Sequence, residues 1–313
     1  MFIVRLLESP RASSPPDRAV SSRRARPARQ AGLDSPEGSR YTGAVSEPER
    51  IAVAVLAALF IGVSKAGFGG GLGMLTTPLC VLAFGPRQAI GILLPLLCLG
   101  DAFSLYHYWG KWRKENLWYL LPGVVIGVLV GVQLIGRFDK RQLNIAIGTL
   151  AVLFVLFQLV KTTLLRLEGD LRPNFKVGAA FGIATGITST FAHGAGPVVS
   201  MFLIPQNLPK ILFVGTNVLI FTWVNWIKMP FFCLGQDVLP WGWLPKVSLI
   251  NAQTLKISAW LAPLVPVGVW IGVQLNRRFS EKWFSRLIHV FLLLAGLQLI
   301  FDFDIAGWLG GGR

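Results

Sequence analysis

The sequence predicts an all-α polytopic membrane protein. It would have about 8 apolar helical units in two repeated halves, each half starting with a glycine-broken or re-entrant helix. Three observations carry this. Hydrophobic residues make up 53% of the 313-residue chain and charged residues 14%, against roughly 25% charged in a soluble domain. Apolar stretches of about 20 residues, the length that spans the hydrocarbon core, follow one another from residue 51 onward. Two glycine-rich interruptions, residues 62–73 and 186–197, fall inside such stretches at corresponding points of the chain.

Residues 1–49 stand apart from the rest. They are rich in Arg, Ser, Pro and Ala without apolar periodicity. Such a segment buries too little surface to offset the entropy of ordering, so disorder is expected. It lacks the apolar core of a secretory signal, and Glu8, Asp17 and Asp34 count against an organellar transit peptide. Much of the formal charge of +15 lies in this arm and in the short loops, where lipid headgroups and topology determinants favour it. No nucleic-acid module is visible. The arm tilts the balance towards a cytoplasmic N-terminus.

The first apolar stretch, residues 51–84, would be about 51 Å long if fully helical, against a core of about 30 Å. It is therefore read as a re-entrant hairpin of two short helices or as one crossing helix unwound at its middle. Residues 88–108, 117–136 and 142–160 follow as continuous spans. In the second half, residues 177–192 lead into the second break, and 211–234, 257–276 and 284–301 complete the set. A membrane domain over 50–304 results, with repeat one at 50–161, repeat two at 176–301 and a short tail at 305–313.

Internal matches support the duplication. Gly131, Val132, Gln133 and Leu134 recur as Gly272, Val273, Gln274 and Leu275, and Arg137 and Phe138 recur as Arg278 and Phe279, all 141 positions on. Gly71, Gly73 and Pro86 match Gly194, Gly196 and Pro209 at a spacing of 123. The difference fits a longer loop near 236–252. Four crossings per half would make the repeats parallel; three crossings plus a re-entrant hairpin would make them inverted.

In lipid, irregular backbone persists only where protein buries it or where it lines a polar cavity, and paired interruptions of this kind point to a transporter's binding site. An interrupted helix exposes backbone N–H groups at the start of its second segment, where the helix dipole adds positive character. The candidate substrate-binding set is Ser64, Lys65, Gly69, Gly70, Gly71, Gly73, Thr76, Ser189, Thr190, His193, Gly194, Gly196, Asn217 and Lys228, with Thr77 nearby. The plain alternative for each hydroxyl is a bond to its own preceding turn, and for each glycine close helix packing. Lys65 and Lys228 are ionisable groups at membrane depth, a functional signal by default, with snorkelling to an interface as the alternative. Asp101 is the only acid deep in an apolar segment and is a candidate to pair with a lysine or carry a coupling proton. Cys80, Cys98 and Cys233 have no metal-ligand spacing and read as small apolar residues.

Taken together, the paired breaks, the turn at Pro86, Arg87, Gln88, Ala89, Ile90 and Gly91, and the stretch Asn225, Trp226, Ile227, Lys228, Met229 and Pro230 resemble the TauE/SafE sulfite exporter family over roughly residues 51–301. The resemblance implies secondary transport of a small sulfur-containing anion such as sulfite or an organosulfonate, outward across the bacterial cytoplasmic membrane, without cofactor or metal. The second break carries Ala192 and His193 where the first has Gly69 and Gly70, so the halves would meet substrate unequally.

Two other classes compete. An intramembrane hydrolase would use Ser64 as nucleophile and His193 as base, although the residues around Ser64 do not form a nucleophile elbow. A passive anion channel or a metal permease is the other. His107, His193 and His289 are the only histidines and no carboxylates cluster with them, which disfavours a transition-metal path. No Walker-type phosphate loop is present. The expected partners are a small anion and the bilayer; oligomeric state is not legible.

Overall fold

Apolar segments that cannot leave backbone groups unpaired in lipid resolve into helices. The computed structural model describes residues 47–65, 71–164, 173–237, 242, 244–245, 248–278 and 281–302, and every regular element among them is a helix. The chain begins with α1 (Glu47–Lys65) and α2 (Gly71–Phe84), then α3 (Pro86–His107), α4 (Glu115–Arg137) and α5 (Lys140–Leu164). Next come α6 (Phe175–Ala192) and α7 (Ala195–Leu203), then α8 (Lys210–Cys233), α9 (Ala252–Leu261), α10 (Leu264–Arg278) and α11 (Glu281–Phe301). Most of the N-terminal arm, the C-terminal tail from residue 303, and Gly69 and Gly70 lie outside the described residues.

Among the described residues α3, α4, α5 and α8 are long and apolar enough to cross a membrane, and the bent pair α9–α10 makes a fifth. Residues 257–276, expected as one continuous span, are instead divided between α9 and α10, which meet at 42°. Pro263 and Pro266 explain the difference: each lacks an N–H donor and crowds the turn before it.

At the first break the chain folds back. Ser64 Oγ lies 3.1 Å from where a Cβ on Gly73 would sit, whereas nine residues of continuous helix would separate them by about 13 Å. At the second, only His193 and Gly194 separate α6 from α7. His193 caps α6 in the left-handed region (φ 49°), its N–H donating to Ser189 O at 3.0 Å while the Gly194 N–H reaches Thr188 O at 3.3 Å. Two orphan carbonyls are thereby satisfied.

Two helix contacts share one pattern of atoms. A Cβ on Gly62 would meet Val265 O, Gly268 C and Val269 N at 2.2, 2.7 and 2.6 Å, and one on Gly186 would meet Val124 O, Gly127 C and Val128 N at 2.5, 2.8 and 2.7 Å. In return Gly268 faces Leu59 O and Gly62 Cα, as Gly127 faces Ile183 O and Gly186 Cα. So α1 lies on α10 as α6 lies on α4, each pair parallel and in backbone contact that only glycine permits. The α4 and α10 residues of these contacts are 141 positions apart, while Gly62 and Leu59 precede Gly186 and Ile183 by 124.

The same spacing of 124 relates the starts of α2 and α7 and those of α3 and α8. The matches at 123 are therefore one residue out of register with the packing. Pro86 is the first residue of α3, whereas Pro209 precedes α8.

Two further pairs, α3–α8 and α5–α11, run antiparallel. Lys111, just after α3, approaches Gly215 near the start of α8, and Gly91, near the start of α3, approaches Leu249 beyond the end of α8. Along α5 and α11, Arg141 bonds the carbonyls of Leu299 and Ile300, and Phe154 stacks on His289 farther down, with centroids 5.7 Å apart.

Candidate functional site

The fold brings the end of α1, the α6–α7 junction and the middles of α3 and α8 together. Thr77, on α2, donates to Ala192 O at 2.8 Å, and the Met74 side chain fills the space at Gly194. The first turns of α2 thus lie on the second break.

Charge is concentrated beside this junction. Lys65, the last residue of α1, forms an ion pair with Asp101 on α3. Its stem lies against Gly100, whose missing side chain makes room for it, and its ammonium sits 5.4 Å from the Phe221 ring centroid. The other carboxylate oxygen of Asp101 accepts from Asn225 Nδ2 at 2.6 Å. Asp101 is 1% exposed and Lys65 12%, so the acid is enclosed by protein rather than displayed at a surface.

Lys228, on α8, is fully buried. Its ammonium donates to Ser189 O at 3.1 Å, to Ser189 Oγ at 2.9 Å and to His193 Nδ1 at 3.1 Å. The partners fix the tautomer of His193. Its Nε2 lies 3.2 Å from Ile90 O, which can only accept, so Nε2 carries the proton and Nδ1 offers the lone pair. Lys228 therefore has three neutral acceptors for its three donors, and none of them cancels its charge. Asn225, bonded to Asp101, precedes Lys228 by three residues on α8, which brings the acid and both lysines into one cluster. In formal charges, two lysines and one carboxylate give the buried cluster a net +1.

The remaining expected residues sort by their partners. Thr76 donates to Gly73 O at 2.6 Å and Thr190 to Gly186 O at 2.7 Å, both within their own helices. Asn217 Nδ2 donates to Phe213 O at 3.0 Å, while its buried Oδ1 has no hydrogen-bond partner among the described residues. Ser64 packs at Gly73, Gly71 starts α2, and Gly196 is buried in the first turn of α7. Both ring nitrogens of His193 are engaged by Lys228 and Ile90, an arrangement that does not make it a base for Ser64. Among the described residues no three His, Cys, Asp or Glu side chains cluster to hold a metal.

Sequence reasoning missed Asn225 as a site residue, and with it Ser104, which is buried on α3 and donates to Gly100 O at 2.9 Å. The signal was present: Asn225 follows Asp101 by the same 124 positions that relate α3 to α8.

The family model described as Sulfite exporter TauE/SafE matches residues 54–299. Comparison with curated proteins and with solved structures gives no match. The match covers most of the chain, which belongs to the sulfite exporter TauE/SafE family and is a multi-pass membrane protein of a transporter family.

Proposed function

We propose, starting from this family membership, that the protein is a secondary transporter. It exports a small sulfur-containing anion, sulfite or an organosulfonate, across the bacterial cytoplasmic membrane by alternating access at its two broken helices. The observation that carries the reading is Lys228: a fully buried ammonium at the second break, hydrogen-bonded only to neutral acceptors. A buried charge without a counter-charge costs several kcal/mol, and an anion arriving at the break supplies what the neutral acceptors lack. Ser189, His193 and the N–H groups opening α7 would hold it from one side, and Ser64, Gly71, Gly73 and the start of α2 from the other.

The halves are read as inverted repeats. Helices related by the 124 spacing, α3 and α8, run antiparallel, as do α5 and α11, which is what a two-fold axis in the membrane plane produces. Each half then has three crossings and one re-entrant pair, α1–α2 or α6–α7, and rocking of one half against the other would open the breaks alternately to each side. The N-terminus would be cytoplasmic, and the arm, outside the family match, would contribute nothing to transport.

The test is uptake of labelled sulfite by proteoliposomes, with and without an imposed pH gradient. Gradient-dependent accumulation that Lys228→Met abolishes is expected. Accumulation unaffected by Lys228→Met, or none for any sulfur oxyanion, would overturn the reading; flux that only runs down its own gradient would make the protein a channel. Deleting residues 1–45 should leave the rate unchanged.

A further inference from the structure

The two breaks carry the same three positions with the charges exchanged. Lys65 and Ser189, Asp101 and Asn225, and Ser104 and Lys228 are each separated by 124 positions, the spacing that relates α1 to α6 and α3 to α8 in the packing. In the first half the lysine is on the broken helix and the serine on the following one. In the second half the serine is on the broken helix and the lysine on the following one. Each half thus supplies one ammonium, from opposite members of an equivalent pair. Lys65 reaches Asp101, and Lys228 reaches Ser189.

The third pair breaks the balance. Asp101 and Asn225 are near-isosteric, occupy equivalent positions and bond directly to each other. One is a carboxylate and the other a neutral amide. The lysine of the first half is therefore neutralised by its own half's acid, while that of the second half faces an amide at the corresponding point. Asp101 pairs with Lys65 and also bonds Asn225, three residues before Lys228 on α8, so it lies between the two lysines' helices. Were both 101 and 225 amides, the cluster would hold two free positive charges; were both acids, none.

We propose that Asp101 sets the valence of the anion this site accepts. The single uncompensated charge suits a singly charged oxyanion, such as an alkanesulfonate or hydrogensulfite. A doubly charged one, such as thiosulfate or fully ionised sulfite, would bring a second negative charge beside Asp101 with no cation to meet it. This rests on the anion-transport reading and adds to it which charge state is carried and which residue decides.

The experiment uses two probes of fixed charge at neutral pH, methanesulfonate and thiosulfate, as competitors and as labelled substrates in proteoliposomes. The full-length wild type should favour methanesulfonate. Asp101→Asn, which preserves shape and the contact with position 225, should shift the ratio of the two rates towards thiosulfate by about tenfold or more, as a second unit charge at close range predicts. Adding Lys65→Met to Asp101→Asn returns the cluster to one free charge and should restore the methanesulfonate preference. A ratio unchanged in both variants overturns the valence assignment while leaving anion transport standing. A wild type that moves neither probe nor sulfite overturns the transport reading and this inference together. If Asp101→Asn does not insert, Lys65→Met decides alone: its cluster has no net charge, so it should lose affinity for methanesulfonate by about tenfold or more, and unchanged affinity overturns the proposal.

Discussion

The two helix breaks are built on one plan and differ in electrostatics. At the first, Lys65 is paired with Asp101 and its ammonium also lies over Phe221. At the second, Lys228 is held by a serine, its carbonyl and a neutral histidine, without a carboxylate of its own. Backbone packing around them is nearly interchangeable: Gly62 of α1 against α10 and Gly186 of α6 against α4 meet the same kinds of atoms at the same places. The contacts that carry the helices, which tolerate no side chain, match at the two breaks, while the polar positions differ. A solute that binds between them meets one closed ion pair and one open charge.

The sharpest way to break this comparison is to remove the open charge. Lys228→Met keeps the volume and fills the same buried space, so insertion should persist with little net change in thermal stability: a desolvated charge is removed, but Ser189 and His193 lose their donor. Anion transport should fall by about a hundredfold, the order expected when about 3 kcal/mol of charge-assisted binding is lost. Transport near the wild-type rate, at matched protein levels, would mean that Lys228 is a structural tether for Ser189 and His193.

Removing the closed charge has a different outcome. Lys65→Met leaves Asp101 buried with Asn225 as its remaining hydrogen-bond donor, and breaking a buried pair costs about 3–5 kcal/mol. Melting temperature and transport should both drop, and both should recover when Asp101→Asn is added. Recovery of stability without transport would make Lys65 a direct ligand as well as the partner of Asp101.

The shared scaffold can be tested by matched substitutions. Gly62→Val and Gly186→Val each force a side chain into a backbone carbonyl 2.2 or 2.5 Å away, so each should lower the melting temperature in detergent by a similar margin, several degrees. A large loss at one glycine and none at the other would show that the two contacts carry unequal weight despite their matching atoms.

Much of this was legible in the residues. Low charge and long apolar runs dictate membrane helices, and glycine clusters inside them dictate breaks, because neither outcome depends on distant contacts. Lys65, Asp101, Lys228, Ser189 and His193 stood out individually as polar groups in apolar surroundings. Their pairing did not, since it depends on folding α1 back at the first break and laying α8 across α3. The glycine and proline matches at 123 stand one residue off the 124 that separates the helix starts, because such matches recur readily in apolar sequence; at 123, Asp101 aligns with Val224 and Ser104 with Ile227. Likewise, the bend at Pro263 was hidden by an uncharged run that reads as one span.

The smallest expected effect separates the two serines that occupy the exchanged positions. Ser189 Oγ accepts from Lys228 at 2.9 Å and is 2% exposed. Ser104 Oγ donates to Gly100 O, one turn back in its own helix, a local bond that leaves the ammoniums untouched. Ser189→Ala deprives Lys228 of one of three acceptors in a buried setting, where a lost hydrogen bond to a charged group is worth about 1.5–3 kcal/mol. Part of that is recovered because Ser189 O remains available, so transport should change by about three- to tenfold, with a larger change in apparent affinity than in maximal rate. Ser104→Ala should leave both parameters within error, since the helix keeps its backbone bonds and loses only a redundant one. Initial rates across a substrate series, for both variants at matched reconstitution, make the comparison. Equal effects at the two serines would mean that the exchange of lysine and serine between the halves has no consequence for the anion, and that the asymmetry of the site lies elsewhere than in Lys228.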